Sequence, residues 1–406
     1  MGRDLKGRDL GANISQRKDG RYQARFTNKL GKREEYCNRE LHLVREWLAE
    51  TRAKDLLNMN ILDKSLTLDT WFEKWLQEYK YDVVRESTRT QYKLIYTKHI
   101  KPILGKSKLS EITHLQIKAL INKLDKDGYM YDTKNKVRII LLDMFNKAVL
   151  NDYAIKNPAR SIKVERDEQK EPRVLTLEEQ KLFLDYSKGT FYDNMFVVGI
   201  NSGLRPGEIY ALTENDLDFD NKIIKVSKTL IYQKLDGDTK KEFHIGPPKT
   251  KSSYRNVKMT RACEIALRKQ IEQSKIIKKK TPKVLKEEFK DLLFTTKFGT
   301  PINSEISSEA IEAIVNGINL IRDELEQIEK FSGHCFRHTF ASNCYHNGIS
   351  MKTIQKLLGH TTLKMTMDKY VHVFGIDIEE SMDKLSEAMD KLDDYNESIE
   401  NFDSAM

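Results

Sequence analysis

A charged stretch at residues 164–173 divides the chain into regions whose patterns differ. The stretch contains no two successive apolar residues and includes Pro172, which is typical of an exposed linker. The chain has 406 residues, too many for one ordinary hydrophobic core, so two or three domains are expected. We predict a multidomain α+β fold: a small three-stranded sheet with one helix, then an all-helical domain, then a mainly helical domain with a small antiparallel sheet.

Residues 1–62 have the pattern of the small sheet domain. Asp19 and Gly20 form a two-residue hairpin signal between two segments with strand character. Alternation along the second segment would place Arg21 and Arg25 on an open face, with Lys18 beside them on the hairpin. Such a face could contact DNA, although a merely solvated face has the same pattern. The predicted elements are strands at 13–18, 21–27 and 33–37, followed by a helix at 41–57.

Residues 66–164 show helical spacing of apolar residues, which predicts an all-helical domain. Between residues 66 and 170, 21 lysines and arginines stand against 14 acidic residues, so this domain is basic. Arg89 is its candidate for DNA contact. The predicted helices are 68–79, 87–100, 113–124 and 133–151.

A third domain is expected at residues 173–376, where strand-like runs at 222–231, 242–246 and 255–259 stand among helices. Beyond it, residues 377–406 have apolar residues at helical spacing in an acidic background, so they are expected to form a separate helical element.

Charge is unevenly spread along the chain. Residues 377–406 contain eleven acidic residues and two lysines, a net charge of −9. The whole chain carries +9, so residues 1–376 carry +18. A body this basic favours a polyanion such as double-stranded DNA, although a solvated basic surface has the same balance.

Cysteine spacing and hydropathy indicate a cytoplasmic protein. The four cysteines are scattered, with no Cys-x-x-Cys pair, and are interpreted as reduced thiols. No run of about 18 apolar residues is present, so no membrane contact is expected. The first residues have no apolar core and do not resemble a secretory signal.

Two segments of the third domain could contact phosphate. SGLRPGE, at 202–208, forms a tight bend that would hold Arg205, with Glu208 able to brace its guanidinium. An ordinary turn with a solvated arginine is the simpler interpretation. PPKTKSS, at 247–253, is predicted to be a basic hairpin tip, from which Lys249 or Lys251 could reach a phosphate or protonate a leaving group. Lysines on turns usually have no such role.

The segment HCFRH, at 334–338, places His334 and Arg337 on one helix face. One side chain could transfer a proton while the other holds a phosphate oxygen. A zinc site at His334 and His338 is the rival interpretation. Cys335 occupies the position of the glutamate in a His-Glu-x-x-His motif, and no third ligand lies near in sequence, so no metal is expected.

The last segment, LLGH at 357–360, is followed ten residues later by Tyr370. Gly359 is predicted to cap a helix and to project His360 from the turn. Taken singly, His360 could be structural and Tyr370 a core aromatic.

Together the segments contain the parts for metal-free cleavage of a phosphodiester. Two arginines provide forked donors for the non-bridging oxygens, histidines and a lysine can transfer protons, and a tyrosine provides an oxygen nucleophile. No phosphate-binding GxxxxGK[ST] loop and no carboxylate cluster suited to Mg²⁺ is visible, so no cofactor is expected.

These segments resemble the motifs of the tyrosine recombinase (phage-type integrase) family over residues 66–376. The resemblance implies that residues 66–164 bind the core DNA site and that residues 173–376 are the catalytic domain. It implies that Arg205 and Arg337 hold the scissile phosphate, that His334 and His360 hydrogen-bond it or shuttle protons, and that Glu208 supports the site. It also implies that Lys249 protonates the leaving 5′ oxygen, with Lys251 as the alternative, and that Tyr370 forms a 3′-phosphotyrosine.

The segment SQRKDGRY, at 15–22, resembles the arm-binding domain of conjugative-transposon integrases. That resemblance implies that residues 1–62 bind repeats distant from the crossover and that the protein integrates and excises a mobile element. It further implies a homotetramer on two attachment sites, exchange of residues 377–406 between subunits, and excisionase and DNA-bending proteins as partners.

Three rival functions share part of this pattern. A type IB topoisomerase has the same chemistry but does not exchange partners, and the amino-terminal sheet and acidic end argue against it. A non-catalytic DNA-binding regulator has no need of Tyr370. A relaxase would need a cluster of histidine metal ligands.

Overall fold

A computed structural model of the chain describes residues 2–28, 33–56, 63, 65–166, 171–281, 287–370 and 386, with the side chains at 56 and 368–370 outside this description. The chain forms two compact units, Met1–Gln169 with Leu235–Gly237, and Lys170–Lys234 with Asp238–Met406. The predicted end element, residues 377–406, lies outside the described residues apart from Ser386, which is helical. No helix in the described ranges is long and apolar enough to cross a membrane.

The first unit begins with a small sheet that carries one helix. The strand Tyr22–Thr27 lies between Ile14–Gln16 and Arg33–Asn38 in an antiparallel sheet, with Ala24 opposite both Ile14 and Tyr36. Ala24 is fully buried and packs with Val44 and Leu48 of the helix. The predicted three strands and helix are therefore confirmed, and a two-stranded sheet before them was not expected. The elements are β1 (Gly2–Arg3), β2 (Asp9–Gly11), β3 (Ile14–Gln16), β4 (Tyr22–Thr27), β5 (Arg33–Asn38) and α1 (Leu41–Leu56).

The described residues from Leu68 to Leu150 are mainly helical, as the spacing predicts. Aromatic side chains form the centre of its core: Phe72 stacks on Tyr96 with ring centroids 3.7 Å apart, and the Trp75 indole donates to Asp143 over 2.8 Å. Thr113 and Gln116 form the capping box that begins one of the helices. The helices are α2 (Leu68–Lys80), α3 (Glu86–Ile95), continued by a π-helical turn (Tyr96–Ile100), α4 (Lys101–Leu104), α5 (His114–Lys126) and α6 (Tyr131–Leu150).

The second unit surrounds a core in which aromatic rings join three helices. Phe336 packs against Phe183 and Phe196, with ring centroids 5.4 and 5.8 Å apart. Phe336 immediately precedes Arg337 in sequence, so this packing also fixes the helix that carries the arginine. The helices are α7 (Leu177–Ser187), α8 (Asp193–Ser202), α9 (Pro206–Tyr210), α10 (Arg261–Lys280), α11 (Ser304–Asn319), α12 (Gly333–His346), α13 (Met351–Leu358) and α14 (Leu363–Tyr370).

The strands of the second unit form two small antiparallel sheets. One has the order β10-β7-β6 and the other pairs β8 with β9. The strand predicted at 222–231 is wrong as a single element, because the chain leaves one sheet after Val226 and enters the other at Thr229. The strands are β6 (Leu217–Asp218), β7 (Ile223–Val226), β8 (Thr229–Gln233), β9 (Glu242–Gly246) and β10 (Arg255–Lys258).

We expect Phe183→Ala to destabilise the second unit by about 3–5 kcal/mol, because the side chain is fully buried and its removal leaves a cavity. The three tryptophans, Trp47, Trp71 and Trp75, all lie in the first unit. In urea, the midpoint followed by far-ultraviolet circular dichroism should therefore fall while the midpoint followed by tryptophan fluorescence stays. Leu177→Ala, on the same helix at an exposed position, is the control and should change stability by less than about 0.5 kcal/mol. An equal fall in both midpoints would show that the two units unfold together.

Candidate active site

The carboxylate of Glu208 lies between two guanidinium groups. Arg205 donates to it through Nη1 over 2.8 Å and through its backbone N–H over 2.8 Å. Arg255 approaches from the other side, with Nη1 and Nη2 at 3.1 and 2.8 Å from the two carboxylate oxygens. The side chains of Glu208 and Arg255 are 3% and 6% exposed, whereas that of Arg205 is 34% exposed. Arg205 is thus held from the inside while part of it faces solvent.

Glu208 is charged at neutral pH. Burial alone would raise the pKa of its carboxyl group, but the hydrogen bonds and the charge of Arg255 oppose that effect, and so do the backbone N–H and the charge of Arg205. The balance places the pKa of Glu208 below its ordinary value. Burial removes water from the carboxylate, and the two arginines offset that cost with opposite charge and hydrogen bonds.

Arg337 is buried and joins two of the predicted motifs. Its Nη1 donates to the carbonyl of Gly203 over 2.8 Å, and its Nη2 donates to the carbonyl of Leu358 over 2.5 Å. Gly203 ends α8 with a φ of 63° and precedes Arg205 by two residues. A Cβ atom at Gly203 would lie 2.3 Å from the Phe340 ring, so only glycine fits there.

His360 is buried instead of projecting as the sequence pattern predicts. Gly359 caps α13 with a φ of 65°, as expected, but His360 is only 5% exposed. Its Nδ1 lies 2.9 Å from the hydroxyl of Thr366, which is on α14. His360 is buried because α14 packs back on α13 and places the buried Thr366 against the imidazole.

The basic segment 247–253 is not a hairpin tip. β9 pairs with β8 and β10 pairs with β7, so the segment crosses from one sheet to the other through a short 3-10 turn at 251–253. Lys249 and Lys251 are both exposed. Ser252 Oγ lies 3.3 Å from Thr361 Oγ1, which brings the segment to the turn after His360.

Two of the predicted site residues lie near helix ends. His334 is in the first turn of α12 and is exposed, three residues before the buried Arg337. Tyr370 is the last residue of α14, one helical turn after Thr366. The side chain of Tyr370 lies outside the described residues.

The four predicted DNA-contacting residues of the first unit differ in their surroundings. Arg21 donates to Asp19 through Nε and Nη2, at 3.0 and 2.8 Å, and Arg25 Nε lies 3.6 Å from Glu35. Both arginines are about half exposed on the open side of the sheet, and Lys18 is exposed beside them. Arg89 instead donates to the main-chain carbonyls of Tyr81 and Val84 and stacks on the Tyr81 ring. Its guanidinium therefore stabilises the connection between α2 and α3.

Arg255 and Thr366 are the contacts that sequence reasoning missed. Arg255 stands in a short strand with the pattern of a solvated surface, and its partners Glu208 and Leu357 are distant in sequence. One signal was available: a buried carboxylate has about four lone-pair sites, and Arg205 alone could not satisfy them. Thr366 gives no local signal of its own.

The residues near the site do not offer a thiol nucleophile or a metal cluster. Burial raises the pKa of the Cys335 thiol to about 11, so it is protonated at neutral pH. No group of three or more histidine, cysteine, aspartate or glutamate side chains that could hold a metal ion occurs among the residues that the structure describes.

Comparisons with known proteins agree on one family. The model of the Phage integrase family matches residues 173–375, and that of the phage integrase N-terminal SAM-like domain matches residues 67–124. The transposase from transposon Tn1545 of Streptococcus pneumoniae is 27% identical over 390 residues, covering 91% of this chain and 93% of the relative.

Two solved structures share the fold. The Tn1549 transposon integrase in complex with a circular intermediate DNA has a TM-score of 0.67 at 22% identity, covering 79% of this chain and 100% of that one. A lambda integrase tetramer bound to a Holliday junction has a TM-score of 0.53 at 18% identity, covering 89% and 96%.

We expect Glu208→Gln to lower the free energy of unfolding by about 3–5 kcal/mol at pH 7, because it breaks a buried ion pair and leaves Arg255 without its partner charge. The folded-state pKa of Glu208 is depressed, so the stabilisation is present above the unfolded pKa, about 4.3, and is lost as the pH falls through the folded value. The urea midpoint of the wild type should therefore approach that of Glu208→Gln as the pH is lowered from 5 to 3. Glu272→Gln, an exposed partner of Lys275, is the control, with a change below about 1 kcal/mol. A difference that widens on acidification would contradict this account.

Proposed function

This chain belongs to the phage integrase family, and we propose that Tyr370 is its nucleophile. It is a tyrosine recombinase close to the integrases of conjugative transposons. It cuts and rejoins DNA at specific sites to integrate and excise a mobile element. Attack by the phenolic oxygen of Tyr370 on the scissile phosphate forms a 3′-phosphotyrosine and releases a 5′ hydroxyl. The bond energy is kept for rejoining, so no nucleotide cofactor is needed.

The observation that supports this proposal is that Arg337, Arg255 and the His360 turn meet at the end of α13. Arg337 donates to Leu358, Arg255 donates to Leu357, and His360 follows the same helix end through Gly359. Thr366 binds His360, and Tyr370 lies one turn further along α14. The backbone of the nucleophile is thus tied to the same helix end as the histidine.

The charge of the transition state is met by arginines instead of a metal ion. The pentavalent phosphorus gathers negative charge on its non-bridging oxygens, and preorganised guanidinium groups stabilise that charge without moving. Arg205 is suited to this role because Glu208 fixes it on one side and it faces solvent on the other. We assign Arg337 as the second clamp, with Glu208 as the support of the first.

Proton transfer falls to side chains nearer the surface. Lys249, exposed on the crossover segment, protonates the leaving 5′ oxygen, and Lys251 is the neighbouring candidate for the same step. His334, exposed in the first turn of α12, and His360 hydrogen-bond the phosphate or relay the proton of Tyr370.

The domains before the catalytic one hold the DNA. Residues 66–164 bind the core site, and residues 1–62 bind arm repeats through the face that carries Lys18, Arg21 and Arg25. A homotetramer, the state of lambda integrase in its complex with a Holliday junction, brings two attachment sites together. Excisionase and DNA-bending proteins are its proposed partners. The protein acts in the cytoplasm at bacterial DNA.

Tyr370→Phe should abolish the covalent protein–DNA adduct, because phenylalanine has no oxygen to attack phosphorus. The measurement uses labelled, nicked duplexes from the DNA flanking the gene, analysed on denaturing gels with EDTA present. The wild type should give an adduct despite the chelator. Tyr254→Phe, an exposed tyrosine in the same unit, is the control and should still give it. An adduct from Tyr370→Phe would show that the nucleophile is misassigned, and loss of the wild-type adduct in EDTA would disprove the metal-free mechanism.

Replacing both Arg21 and Arg25 by glutamine should weaken binding to arm repeats and reduce the slope of log affinity against log salt by about 2, because each arginine neutralises one DNA phosphate. Binding to core duplexes should stay the same. Titration of labelled arm and core duplexes at several salt concentrations measures both. Arg268→Gln, which removes one exposed charge from the second unit, is the control for the loss of surface charge. Equal weakening on both duplexes would argue against a separate arm-binding face.

A further inference from the structure

Arg255 uses all three of its guanidinium nitrogens inside the protein. Nε donates to the carbonyl of Leu357 over 2.6 Å, and Nη1 and Nη2 form the fork on Glu208. Nη1 also donates to the carbonyl of Ser253 over 3.1 Å. The side chain of Arg255 is 6% exposed, and each of its three nitrogens has an acceptor within the protein.

The acceptors of Arg255 belong to different parts of the site. Glu208 holds Arg205 through a 2.8 Å contact, and Leu357 stands in the last turn of α13, before the Gly359–His360 turn. Ser253 closes the 3-10 turn of the segment that contains Lys249 and Lys251. One planar group therefore contacts three segments, and each segment carries at least one group assigned to the reaction.

We propose that Arg255 is a positioning residue for the recombination reaction, which sets the spacing between the Arg205 clamp, the lysine segment and the His360 turn. It touches no reacting atom, and it acts through Glu208 and the main chain. The proposal rests on the roles given above to Arg205 and Tyr370.

The planar fork explains why an arginine stands here. Two parallel N–H groups match the two oxygens of a carboxylate, while Nε points along the third side of the same plane. A lysine at this position keeps the positive charge but presents one nitrogen, which cannot satisfy Glu208 and the Leu357 carbonyl together. The close packing is consistent with this, because a Cβ atom at Gly359 would lie 3.1 Å from Arg255 Cδ.

The consequence for the reaction is geometric. A displacement of the reacting groups by about 1 Å costs on the order of 100-fold in rate. Arg255→Lys should therefore slow covalent cleavage of a nicked duplex by about 100-fold in single-turnover experiments, with the affinity for that duplex changed by less than about 3-fold.

A double-mutant cycle separates positioning from general loss of structure. Wild type, Arg255→Lys, Arg205→Ala and the double variant are compared for single-turnover cleavage rate. If Arg255 acts through Arg205, most of the effect of Arg255→Lys disappears in the Arg205→Ala background. If Arg255 only stabilises the fold, Arg255→Lys slows cleavage by the same factor with and without Arg205, so that the two rate effects multiply. That outcome overturns the proposal.

Two further measurements keep the outcomes distinct. Arg268→Lys is the matched control, because Arg268 also binds a glutamate, Glu264, through Nε and Nη2, but at the surface of α10; it should cleave at the wild-type rate. Urea unfolding of each variant, with cleavage measured well below the midpoint, ensures that folded protein is compared. Failure of the wild type to form an adduct would refute the proposed function, whereas normal cleavage by Arg255→Lys would refute only the role of Arg255.

Discussion

The end of α13 is the constraint on which the site depends. A helix leaves its last four carbonyl groups without partners inside the helix, and here each of them has one. Gln355 and Lys356 accept from the backbone N–H groups of His360 and Gly359, each over 3.1 Å. The other two, Leu357 and Leu358, accept from the guanidinium groups of Arg255 and Arg337. The negative end of the helix is also where positive charge is most favourable.

Satisfying these carbonyls fixes the positions of the motifs relative to one another. Arg337 can reach Leu358 only if α12 is placed by its core contacts, and the same guanidinium holds the Gly203 carbonyl at the start of the Arg205 bend. Arg255 can reach Leu357 only from the first residue of β10. The residues assigned to catalysis are therefore held by a network of hydrogen bonds. In this network, backbone carbonyl groups of one element accept from arginine side chains of other elements. Replacing one member shifts more than one motif, which makes the site sensitive to buried residues that never meet DNA.

The sequence predicted the local features well and the long-range ones poorly. The strands around the Asp19–Gly20 hairpin and the helices of residues 66–164 depend on neighbours within a few residues, and their predicted positions are close to those observed. The run at 222–231 has uniform strand character, yet it contributes to two sheets, because partners far along the chain decide where each half pairs. His360 was expected to project because Gly359 predicts the end of a helix, and only the contact with Thr366 of α14 shows that the imidazole is buried. Arg255 has no signal in its own segment, since its role is defined by Glu208, 47 residues away.

A division of labour follows from exposure. The groups proposed to hold the phosphate are buried or braced: Arg337 is 3% exposed, and Arg205 is held by the carboxylate of Glu208, which is itself 3% exposed. Charge stabilisation requires rigid placement of the donors. A donor that must move toward the transition state costs reorganisation free energy, which reduces the stabilisation it provides. The groups assigned to proton transfer, Lys249 and His334, are exposed and stand on a crossover segment and a helix start. On these proposed roles, the arginines that hold the phosphate are in place before DNA binds, whereas the exposed lysine and histidine can be positioned by contact with the duplex. Cleavage would then be coupled to correct DNA placement through the lysine and the histidine, without any change in the buried arginine network.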